Sequence, residues 1–70
     1  MLTLKQRIQM IEDGITLGGN FKSELDALNV IEQEIPVYRR LGTPAWKAQE
    51  AREEIGRIRA WIHKELAARN

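Results

Sequence analysis

His63 is the only histidine of the chain, and on a helix its neighbours four residues away are Arg59 and Ala67. Neither is a second metal ligand or an acidic partner, so His63 reads as a surface or boundary residue rather than a proton shuttle. Glu50, Glu53 and Glu54 crowd one stretch, but the arginines nearby suit a solvated helix face better than a cation site. Gly18-Gly19-Asn20 lacks the lysine and the preceding strand of a phosphate loop. There is no cysteine, hence no thiolate ligand and no disulfide framework. These residues set no expectation of catalysis, metal or cofactor, and the chain reads as a non-enzyme.

Recognition chemistry is better represented. Val37, Tyr38, Arg39, Arg40, Leu41, Trp46 and Lys47 lie within one short stretch. Aromatic side chains and arginine gathered in this way have the composition of interface hot spots. Trp61 joins the set as a candidate; it flanks a helical apolar stripe and reads first as core, with pairing of two long third helices as its other use.

The elements that must position these residues follow from periodicity. Thr3 and Gln6 form a capping-box pattern, and Leu4, Ile8, Ile11 and Ile15 then recur at helical spacing until Gly18-Gly19. Asn20 can cap a second helix with two adjacent stripes, Phe21-Leu25-Leu28-Ile31-Ile35 and Ala27-Val30-Val37-Leu41, a face wide enough for neighbours on two sides. Pro36 removes one backbone bond, yet helical spacing continues to Leu41, so a kink or a break is expected there. Gly42-Thr43-Pro44 then reads as glycine terminator, cap and first helical residue of a third helix. That helix carries Ala48, Ala51, Ile55, Ile58, Ile62 and Leu66 on one stripe, with Gly56 in its middle.

The expected fold is all-α, a single helical domain over residues 1–70. It is a small antiparallel three-helix arrangement, with helices at about 4–17, 21–41 (kinked at Pro36) and 44–69. The first helix is the shortest, so its start should cover the second only as far as Ile35 and leave the Tyr38–Trp46 corner uncovered. Seventy residues hold one small core, and the thin margin of such cores favours further burial in a homodimer or against a partner.

Charge is divided unevenly. Residues 1–35 carry three basic and six acidic side chains, and residues 36–70 carry eight basic and four acidic. Folding back should bring Lys5 and Arg7 near Glu32 and Glu34, and leave Glu12, Asp13, Glu24 and Asp26 at an acidic hairpin tip. The overall charge of +1 is too small for a general nucleic-acid footprint. The opening residues are amphipathic rather than a leader-like apolar run, and no stretch has membrane-spanning length, so a cytoplasmic setting is expected.

Ser23-Glu24-Leu25-Asp26 resembles the Ser-x-Glu-Leu-Asp motif of small phosphatase regulators built as helical hairpins. Here the serine directly precedes the glutamate, the loop is shorter and a long third helix is added. Over four residues the resemblance sets no functional expectation.

The functional expectation is a non-enzymatic interaction module, dimeric, that binds and modulates another protein. Inhibition of a host factor by a phage or mobile-element accessory protein is the pattern such chains suggest. The alternative is a small helix-turn-helix-like DNA-binding regulator with Gly42 in the turn and Arg39, Arg40, Lys47 and Arg52 on the phosphates. Bulky Tyr38 at the helix crossing and Glu50, Glu53 and Glu54 on the reading helix count against it.

Overall fold

A computed structural model describes residues 2–69. Three helices, α1 (Leu4–Thr16), α2 (Phe21–Arg40) and α3 (Ala45–Ala68), follow one another with short turns, and no strand occurs among the described residues.

Each boundary has a local cause. Thr3 Oγ1 accepts from the Gln6 amide at 3.1 Å, and Gln6 Oε1 accepts from the Thr3 amide at 2.9 Å, closing the capping box of α1. α1 ends at Gly18, whose φ of 89° is left-handed. The Gly19 amide reaches back to Gly14 O and the Gly18 amide to Ile15 O, a Schellman closure. The same device ends α2: Gly42 has φ 110°, Thr43 N donates to Tyr38 O, and Gly42 N donates to Arg39 O. Asn20 Oδ1 caps α2 through the amides of Lys22 and Ser23.

One boundary detail differs from expectation. Pro44 is the N-cap of α3, with an extended ψ of 152°, and no side chain caps this end; Thr43 does not. Proline fixes φ near the value an N-cap can use, and Pro44 O already accepts from Lys47 N and Ala48 N. α2 is helical without interruption through Pro36, so the chain does not divide there into two segments.

The core is a column of aliphatic side chains. α1 contributes Leu4, Ile8, Ile11 and Ile15, and α3 contributes Ala48, Ala51, Ile55, Ile58 and Ile62; α2 adds Leu28, Ile31, Ile35 and Tyr38. α2 packs against both neighbours, while α1 and α3 share the thinnest seam. Of the first expected stripe of α2, Leu28, Ile31 and Ile35 are buried and Phe21 and Leu25 are half-buried. Val30, Val37 and Leu41 face outward, because α1 and α3 are each engaged by the Leu28–Tyr38 side of the helix.

Polar contacts report the antiparallel register. Arg7 pairs with Glu34, one of the two acids expected opposite the start of α1. Glu32 instead takes Arg59 of α3, at 3.4 Å, and the same arginine donates to Asn29 at 2.9 Å. At the other end of α1, Arg57 reaches Glu12 at 3.4 Å, which offsets part of the expected acidic tip.

Candidate interaction surface

Tyr38 belongs to the core and not to the open corner. It is 9% exposed, and its hydroxyl donates to Leu2 O at 2.9 Å. Arg7 Nη1, already bound to Glu34, also approaches that hydroxyl at 3.5 Å. The residues just before α1 therefore extend its cover past Ile35, which is why the corner is smaller than helix lengths alone imply. The hydrogen bond that Arg7 donates to Glu34, then that to Tyr38, holds the Arg7 guanidinium above its ordinary pKa, against a smaller opposing effect of burial.

The remaining corner residues are exposed. Leu41 is 65% and Trp46 63% accessible, with Val37 at 46%. Leu2, unremarked in the sequence, stands beside them. Leu2, Leu41 and Trp46 line one groove of about 950 Å³ between α1 and α3, floored by Leu4, Ile8 and Ala51. Lys5, Lys47, Glu50 and Glu54 also border it.

The cations here are not equivalent. Arg39 Nη1 donates to Thr43 O at 2.9 Å and so braces the turn. Lys47 Nζ sits 5.5 Å from the Trp46 ring centre, a cation–π distance. Lys5, Arg40 and Lys47 have no carboxylate partner among the described residues, whereas Arg7, Arg57 and Arg59 do.

Trp61 stands away from this corner. It is 36% accessible rather than core, because the buried stripe of α3 is filled by Ile58 and Ile62 on either side of it in sequence. One turn back from it in sequence is Arg57, whose Nη2 lies 2.6 Å from Glu54. That contact, chiefly the hydrogen bond donated to Glu54, raises the Arg57 pKa.

A second, shallower apolar area lies between α1 and α2, where Met10, Ala27 and Val30 meet Leu2. Its signal was present in the second stripe of α2 and in Met10 beside the stripe of α1. Among the described residues no group of three or more histidine or acidic side chains gathers as a metal site, and no helix is long and apolar enough to cross a membrane.

Comparison adds no relative. No protein-family model matches the chain, and neither a curated protein nor a solved structure does.

Proposed function

We propose that the protein is a non-enzymatic, cytoplasmic interaction module that self-associates and binds another protein through the corner formed by Leu2, Val37 and Leu41, beside Trp46. The observation that carries this reading is the coincidence, at one end of the bundle, of large exposed apolar side chains with cations that lack carboxylate partners. Buried aromatic and aliphatic anchors supply most interface energy, and rim charges orient the partner. A bend of α2 at Pro36, where a backbone bond is lost, would help to present Val37 and Leu41. Occupying a partner's surface in this way would inhibit or scaffold it, as for an accessory protein acting on a host factor.

The test is affinity capture from a bacterial lysate with the wild type and a Val37→Ser plus Leu41→Ser variant. Both positions are exposed, so the variant should keep its helical circular dichroism while losing the captured protein. Retention of every captured protein by the folded variant would refute the corner as the binding surface. The DNA-binding alternative draws on the same cations, but Glu50 and Glu54 border the groove and would oppose phosphates. A salt-sensitive mobility shift with duplex DNA would favour it.

A further inference from the structure

Six exposed residues of α3, Trp46, Glu50, Arg57, Trp61, Lys64 and Ala68, fall on one narrow stripe, and the first four are symmetric in position. Trp46, Glu50, Arg57 and Trp61 are spaced by four, seven and four positions and are all accessible. At 100° per residue they lie within an arc of about 60° on the helix. Their order is symmetric in position and opposite in charge: the two tryptophans and the Glu50–Arg57 couple share one midpoint, between Glu53 and Glu54.

We infer that a second copy of this chain covers this stripe, with the two α3 helices antiparallel about a two-fold axis at that midpoint. This gives geometry to the self-association in the reading above. A two-fold axis makes every contact occur twice. Glu50 of each copy then faces Arg57 of the other, and Trp46 of each lies level with Trp61 of the other, about 22 Å along the helix. The charge order selects the direction. A parallel pair would set Glu50 against Glu50 and Arg57 against Arg57, and like charges across an interface are rejected.

Glu50 is free to pair, and Arg57 is only partly engaged. Glu50 has no hydrogen-bond or ion-pair partner among the described residues. Arg57 is largely in solvent, 58% accessible in its side chain, and its fork has donors beyond the Nη2 that faces both Glu54 and Glu12. The unfavourable part is the pair of carboxylates at the axis. Glu54 is already held by Arg57 at 2.6 Å, and Gln49 Nε2 approaches Glu53 at 3.4 Å. Pairing takes Trp46 from the corner and leaves Leu2, Val37, Leu41 and Arg40 for another protein.

Sedimentation equilibrium on four samples tests the pairing: wild type, Glu50→Arg, Arg57→Glu, and an equimolar mixture of the two variants. The wild type should form a dimer. Each variant alone sets like charges together twice and should self-associate at least about tenfold more weakly. The mixture should recover the dimer, because each variant then offers the other's missing sign. A wild type that is monomeric throughout, variants that dimerise as well as the wild type, or a mixture that fails to recover would each overturn the inference. Circular dichroism confirms that each variant is folded. The corner reading is separable, since capture of another protein is lost through Val37 and Leu41 and not through these charges.

Discussion

Two threonines precede helices in this chain, and only one acts on its helix. Thr3 exchanges hydrogen bonds with Gln6, whereas Thr43 yields the cap position to Pro44. Thr3→Ala should therefore cost about 1 kcal/mol of stability in urea denaturation, and Thr43→Ala a few tenths at most. Two glycines separate in the same manner. Gly42 is left-handed at φ 110°, so Gly42→Ala should lose about 1–2 kcal/mol. Gly56 lies in mid-helix with nothing within 4 Å of where a Cβ would be, so Gly56→Ala should gain about 1 kcal/mol. Sequence already marks Gly42 as the terminator of α2, and its left-handed φ agrees. Only the structure shows that Gly56 is merely tolerated, with no close helix crossing there. Tyr38→Phe removes the donor to Leu2 O while keeping the ring in the core, and should cost about 1 kcal/mol.

At the scale of elements, the helices were legible because their apolar residues recur at one period and their ends carry the right side chains. Leu4, Ile8, Ile11 and Ile15 are all buried, as spacing alone requires. The candidate surface was less legible, since amphipathic pattern does not say which of two adjacent stripes a neighbour will cover. Val30, Val37 and Leu41 carry the same apolar signal as Leu28, Ile31 and Ile35, yet the first set is outside. Tyr38 and Trp61 exchanged places with expectation for a related reason. The cover over Tyr38 comes from Leu2, a residue before the first helix, and Trp61 loses the core to two isoleucines. Pro36 marks the remaining element-scale test. Its ring nitrogen cannot donate to the Glu32 carbonyl, and its side chain is exposed. Pro36→Ala should restore that bond without opening a cavity. A gain of about 2 kcal/mol is expected by thermal or urea unfolding, after the added freedom of the unfolded chain is subtracted.

The whole molecule is a rod, 42 × 19 × 15 Å, and it exposes 4963 Å². A monomer of this mass, 8.1 kDa, is expected to expose roughly 4,500 Å². The excess is in keeping with the long α3 and with the open α1–α3 groove, where apolar surface remains in water. For a core this small, covering such surface in a second copy would be a large part of the stability, so folding and association should be linked. Linkage makes melting depend on protein concentration. Each tenfold increase favours the dimer by about 1.4 kcal/mol, or about 0.7 kcal/mol per chain. For a domain of this size that corresponds to a rise in Tm of about 3–5 °C per tenfold increase. Differential scanning calorimetry over two decades of concentration reads this directly. The wild type should shift, whereas Glu50→Arg should melt at the wild type's low-concentration Tm and stay there. A wild-type Tm independent of concentration would show that the chain folds without a second copy, and that α3 keeps its tryptophans in solvent.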